Sequence, residues 1–247
     1  MKRLRFPGLL FCAATLFFLT SCGGNESKEK TNTDSTTAES NTNAVATEPN
    51  TIITTPENMM VVTHKVADFE KFQASYDAHD SLRLANGLHS YVIGRGVDDP
   101  NMVMVVVKAD DIEKAKAFAK DASLKNAMKK AGVTGAPTIS FNTSTWQDTA
   151  VLAPGTIRSR STFTVKDWDA WVKSFMEGKQ ERLDNGITAR VIGHDVDDNK
   201  KVSLVTALLD TAKAFAYYKS DALKKRREAG GVIGEPKRFL FRVVKRY

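Results

Sequence analysis

The sequence predicts an α+β protein made of one βαββαβ unit used twice in tandem, and three observations predict it. Shifted by 99 residues, positions 63–141 align without a gap on 162–240, and roughly one aligned residue in three is identical. Within each copy, β-branched runs alternate with segments whose apolar residues recur every three or four positions, the periods of strand and helix. The 247 residues, 42% of them hydrophobic and 26% charged, suit a globular chain long enough for two small domains.

The elements follow in order. Met59 to Val66 is a β-branched run and reads as the first strand. Asp68 then caps a helix whose apolar residues Phe69, Phe72 and Tyr76 stand at i, i+3 and i+7 on one face. Trp168, Trp171 and Phe175 repeat that stripe in the second copy, and it reads as helix-on-sheet core. Asn86-Gly87 and Asn185-Gly186 supply the left-handed stop. His89 to Val97 and Met102 to Lys108 are the next strands, joined by Asp98-Asp99-Pro100-Asn101. Those acidic residues read as turn chemistry, because Asp and Asn side chains bond their own backbone in tight turns. The strand from Met102 is apolar on both faces, so both should be covered. Asp111 to Ala131 is a helix interrupted near Asp121-Ala122-Ser123 and closed by Gly132, and Thr138 to Phe141 is the last strand.

This order is the ferredoxin-like split βαβ unit. One sheet face packs under its helices and the other stays bare and apolar, so the second copy is expected to cover the first. The blocks Asp68-Phe69-Glu70-Lys71-Phe72 and Leu124 to Val133, with counterparts Asp167 to Trp171 and Leu223 to Val232, resemble the dimeric α+β barrel superfamily, especially its antibiotic-biosynthesis-monooxygenase-like branch. The resemblance covers about 59–247 and implies an intramolecular, pseudo-two-fold barrel in which a monomer is complete. It carries no catalytic signature. Haem-binding members of the superfamily use an axial His; the second helices of both copies lack one, and no cofactor is expected.

Residues 1–21 read as a signal. Lys2, Arg3 and Arg5 precede the apolar run Gly8 to Leu19, too short to span a bilayer as a mature helix. The run ends in Leu19-Thr20-Ser21-Cys22, which resembles the bacterial lipobox and predicts lipidation at Cys22. Cys12 leaves with the signal, so no disulfide is expected. Two or more acyl chains, at about 0.8 kcal/mol per buried CH₂, hold a protein stably on a membrane. Gly23 after the cysteine resembles the Gram-negative pattern for the outer membrane, with the protein facing the periplasm or the surface. Residues 22–58 are rich in Ser, Thr and Asn; they cannot bury enough apolar surface to offset ordering and read as a tether. The two domains are then 59–150 and 151–247.

Candidate ligand contacts come from the second strand of each copy. His89, Tyr91 and Arg95, against Arg190 and His194, occupy its odd positions, with Leu88, Ser90, Val92 and Gly94 alternating between them. Simple alternation aims the odd set into the barrel and the even set at the helices. His64 on the first strand completes the list. No His lies at metal-binding spacing from a carboxylate or a second His, and no phosphate loop, nucleophile elbow or Cys–His pair occurs. No metal is expected. Binding of a small apolar or aromatic ligand, or a structural role in the envelope, therefore ranks above the alternative of a cofactor-independent monooxygenase or isomerase acting on an aromatic or quinol substrate.

The net charge of +7 divides unevenly. The signal carries +3, residues 22–58 carry −4, and 59–150 balances 11 basic against 11 acidic residues. Residues 151–247 hold 20 against 12. Much of the excess falls at Lys224 to Arg227 and along Lys237, Arg238, Arg242, Lys245 and Arg246. For an envelope protein this favours anionic lipid or glycan over nucleic acid and sets out a third function, that of an accessory protein binding such a surface.

Overall fold

Local chemistry sets the helix boundaries. In the computed structural model, which describes residues 50–247, the Asp68 carboxylate accepts from the Lys71 amide at 2.9 Å and the Asp167 carboxylate accepts from the Ala170 amide at 2.8 Å. These caps satisfy amide groups that the first helical turn leaves without partners. Gly87 and Gly186 end the helical segments at φ of 66° and 68°. The Gly186 turn also lies so close to Asp210 that an added Cβ would stand 2.9 Å from its backbone nitrogen. Cys22, the signal and most of the tether lie outside the described residues.

The first copy runs β1 (Ile52–Ile53), β2 (Glu57–Val66), α1 (Phe69–Ala78), α2 (Asp80–Leu84), β3 (Leu88–Gly96), β4 (Met102–Ala109), α3 (Ile112–Phe118), α4 (Ala122–Lys130) and β5 (Val133–Asp148). The second runs β6 (Ile157–Val165), α5 (Trp168–Glu177), α6 (Lys179–Asp184), β7 (Ile187–Asp195), β8 (Lys201–Leu208), α7 (Thr211–Tyr218), α8 (Asp221–Ala229) and β9 (Val232–Arg246). All strand pairs are antiparallel, in the order β1-β5-β2-β4-β3-β9-β6-β8-β7, and β7 returns to β5. The sheet thus closes into a barrel through two seams between the copies, β3 on β9 and β5 on β7.

Three elements depart from the sequence expectation. The first helix divides at His79, and its counterpart divides at Gly178. Arg83 donates to the Tyr76 carbonyl at 2.7 Å, and Arg182 donates likewise to the Phe175 carbonyl. These side chains serve carbonyls at the break. The last strand extends from Val133 to Asp148, because its polar second half pairs with β7. Order also begins before residue 59: Ile52 and Ile53 pair with Asp148 and Gln147, and β2 starts at Glu57.

The helices cover the outside of the sheet. Phe69, Phe72, Ala115 and Phe118 pack there with Leu88, Ile93 and Val105, while Trp171 packs with Val165, Ile192 and Val202. Val61, Met104 and Phe241 form a separate core inside the barrel, flanked by Val106, Val205 and Val243. Trp168, Trp171 and Phe175 form a continuous aromatic row with centroid spacings of 5.5 and 5.2 Å.

Candidate functional site

The second strand of each copy carries a bulge that decides what faces the barrel. Register shifts between Ser90 and Val92 in β3, and between Ala189 and Val191 in β7. One extra residue reverses the alternation beyond it. Tyr91 with Val92, and Arg190 with Val191, consequently line the barrel cavity. Ile93 and Ile192 turn outward into the helix-side cores. Gly94, expected beneath a helix, instead abuts Phe241 of the inner core, where an added Cβ would stand 2.5 Å from the ring.

Four of the six candidate residues are therefore elsewhere. His194 lies past the bulge, its Nδ1 donating to the Asp195 carbonyl at 2.8 Å and its ring meeting the Trp168 ring edge-on at 4.7 Å. Arg95 donates to the Pro100 carbonyl at 2.9 Å, with its guanidinium 4.1 Å from the Phe69 ring centre. His89 is half exposed and pairs with Asp110 at 2.9 Å. His64 is buried on the helix side, 5.0 Å from the Phe72 ring. Burial there lowers its pKa to about 4, leaving it neutral at ordinary pH. Tyr91 and Arg190 are the two that share the cavity.

The cavity offers about 80 Å³ to water centres, enough for several waters or a small ligand at roughly 10–15 Å³ per water on that measure. Its walls differ in kind. One is apolar: Met59, Val61, Met104, Val106 and Phe241. The other presents four guanidinium groups, on Arg158, Arg160, Arg190 and Arg246. Positions 158 and 160 correspond to Met59 and Val61 across the repeat, and Arg190 and Arg246 correspond to Tyr91 and Gln147. Pseudo-symmetry thus sets a cationic strand opposite an apolar one.

Asp148 is the carboxylate among the lining residues. It accepts from Arg190 Nη1 at 2.8 Å, from Thr51 Oγ1 at 2.9 Å and from the Ala150 amide at 2.9 Å. Arg190, only 2% exposed, also donates to the Ala150 carbonyl, while its Nε has no partner among the described residues. Arg160 donates to Ser140 Oγ at 3.2 Å. Burial lowers the pKa of both Arg158 and Arg160 to about 10. For Arg158 the positive charges of Arg246 and Arg190 add to that effect. Both remain protonated at neutral pH. Like charges held together in a low dielectric leave a strong positive potential for an anion to occupy.

The cavity is poorly equipped for proton transfer. Besides the arginines, Tyr91 and Asp148 are its titratable lining residues, and Asp148 already accepts three donors. Tyr91 donates to Gln147 Oε1 at 3.4 Å; Gln147 in turn donates to Glu57 at 2.5 Å, and Lys108 donates to the same carboxylate at 2.6 Å. Among the described residues, no group of three or more His, Cys, Asp or Glu is placed to hold a metal ion. No described helix is long and apolar enough to cross a membrane.

Only part of the second copy's charge excess faces its pockets. Besides the barrel arginines, Arg182, Arg226, Arg227 and Arg238 line a pocket between its helices and sheet, while Lys224, Lys225, Lys237, Arg242 and most of its other lysines are exposed. Sequence reasoning missed Arg158 and Arg160 because they precede the aligned block beginning at 162. Extending that alignment four residues toward the N-terminus opposes them to Met59 and Val61, so the sequence itself carries the signal that finds them.

No family model matches the chain, and no curated protein matches it in sequence. Solved structures do resemble it. An anthrone oxidase-like protein is 14% identical with a TM-score of 0.55, over 78% of this chain and 94% of its own. A candidate monooxygenase from Fusobacterium nucleatum is 12% identical at 0.49, over 77% and 93%. A candidate chlorite dismutase is 17% identical at 0.49, over 76% and 95%. At these identities the likeness speaks to the fold, and the first carries it: the chain has the α+β barrel fold, with its two ferredoxin-like units in one polypeptide.

Proposed function

We propose that this is a lipid-anchored envelope protein whose barrel binds a small amphipathic anion, such as an aromatic carboxylate. The observation that carries the reading is the cationic wall of Arg158, Arg160, Arg190 and Arg246 facing an apolar wall, with Asp148 as the carboxylate in the lining. A ligand with an apolar body and one carboxylate would bury the first against Met59, Val61 and Phe241. It would give the second to the guanidinium groups, whose planar fork matches a carboxylate. Arg190 Nε is a buried donor available for it. The anchor rests on Leu19-Thr20-Ser21-Cys22.

Binding accounts for the cavity better than catalysis does. A cofactor-independent oxygenase or isomerase needs a base able to take a proton from its substrate, and Asp148 is engaged by Arg190. The test is calorimetric titration of the purified full chain with benzoate and with neutral benzyl alcohol. Benzoate should bind and benzyl alcohol should not. Arg160→Val, which installs the first copy's residue, should weaken benzoate at least ~10-fold, the scale of one charge-assisted hydrogen bond. Equal binding of the two compounds, or undiminished affinity in the variant, would overturn the reading.

A further inference from the structure

We infer that the second copy holds an additional anion site, distinct from the barrel, between its helices and its sheet, suited to a dianionic group on an aromatic body. Both copies have a pocket at this place, and both bury an arginine there, Arg83 and Arg182. Each lays its guanidinium 3.6 Å from the centre of the ring at the corresponding position, Tyr76 or Phe175. That shared arginine is structural, since it serves the carbonyl at the helix break.

The rest of the pocket has diverged. Arg226, Arg227 and Arg238 stand where the first copy has Ala127, Met128 and Ile139. Arg226 is neutralised by Glu181 at 2.5 Å, and Glu181 also accepts from Tyr217 at 2.9 Å. Arg227 reaches Glu235, a largely exposed side chain, through Nη1 at 3.1 Å, and its buried Nη2 has no partner among the described residues. Arg238, an exposed residue at the pocket's edge, lies 4.1 Å from the Tyr218 ring centre, and no carboxylate among the described residues is bonded to it. Partial burial and the neighbouring Arg227 hold its pKa below the ordinary arginine value, against the opposing pull of Tyr218 and Glu235. Gly178 makes room for this arrangement: an added Cβ would stand 2.8 Å from Arg226 Nη1, and the first copy has His79 there.

Two guanidinium groups with unused donors, beside Trp171 and Tyr218, match a phosphate monoester or a dicarboxylate carrying a ring. Guanidinium forks bind both anions bidentately, and the ring would pack on the aromatic side chains. The corresponding pocket of the first copy has Ala127 and Met128 at the positions of Arg226 and Arg227; its one arginine, Arg83, already serves the helix break, so it should not bind the dianion.

The experiment titrates the full chain with phenyl phosphate, phthalate and inorganic phosphate, and repeats the titrations in Arg227→Met/Arg238→Ile, which installs the residues the first copy already carries. We expect one phenyl phosphate or phthalate per chain, with the tighter of the two naming the source of the dianion. The double variant should weaken it at least tenfold while leaving benzoate binding in the barrel unchanged. Arg160→Val should do the reverse, so failure of one site is read separately from failure of the other. If the double variant melts early, Arg227→Lys, which keeps the charge but not the fork, should still weaken the dianion. Unchanged affinity in these variants, or no binding of either ring-bearing dianion to the parent protein, would overturn the inference.

Discussion

At the scale of single residues, the barrel arginines oppose stability. Arg158 makes no ion pair with a carboxylate among the described residues, and burial and two like charges act against it. Replacing a poorly compensated buried charge by a fitting apolar group is often stabilising by about 1–4 kcal/mol. Arg158→Met, which copies Met59, should raise the melting temperature of the ligand-free protein and weaken benzoate. A lower melting temperature would show that the arginine serves the fold instead. Such a trade of stability for binding is what a functional site commonly displays.

His64 provides a second test. Its folded-state pKa of about 4 lies below the ordinary histidine value of 6.5, so between those values the unfolded chain binds more protons. Stability should therefore be complete above about pH 6.5 and fall as pH drops toward 4, by on the order of 2–3 kcal/mol if the shift is fully expressed. His64→Phe, which copies Phe163, should flatten this part of the pH–stability curve. An unaltered slope in chemical denaturation would refute the assignment. The sequence shows the His and its aromatic counterpart; only packing beneath Phe72 shows that the ring is held neutral.

At the scale of elements, the bulged strands β3 and β7 determine which side chains meet the ligand. Alternation along the strand is legible in the sequence, and it places Tyr91 and Arg190 toward the barrel. It misplaces Arg95 and His194, because neither residue type nor spacing marks the extra residue that reverses the pleat. The glycines just beyond each bulge leave little room for a side chain. In Gly193→Ala the new Cβ would press on the Thr143 carbonyl oxygen of β5, which is backbone and cannot rotate aside. The seam should loosen at a cost of about 1–3 kcal/mol, the range for overpacking, seen as an earlier melting transition. Gly94→Ala meets the Phe241 side chain instead and should cost less. Equal loss in both variants would contradict this ordering.

At the scale of the whole molecule, the two seams use strand edges that a separate barrel subunit would offer to a partner. Both are paired within one chain, so sedimentation should find residues 50–247 monomeric. A concentration-dependent dimer would show that another surface associates. Cys22→Ser should abolish acylation and release the protein from membranes; persistent membrane association would leave the anchor reading without support.

The sequence alone determined that this is a duplicated βαββαβ protein, where its helical segments begin and which glycines close them, and that its positive charge excess belongs to the second copy. Those features are written in local spacing, capping residues and self-similarity, which depend on neighbours a few positions apart. Tertiary structure decided which of those charges face a cavity. The long β5, the bulges and the placement of Arg158, Arg160 and Arg190 depend on pairing between residues tens of positions apart, and closure of the barrel through β3–β9 and β5–β7 set those arginines on one wall of its cavity.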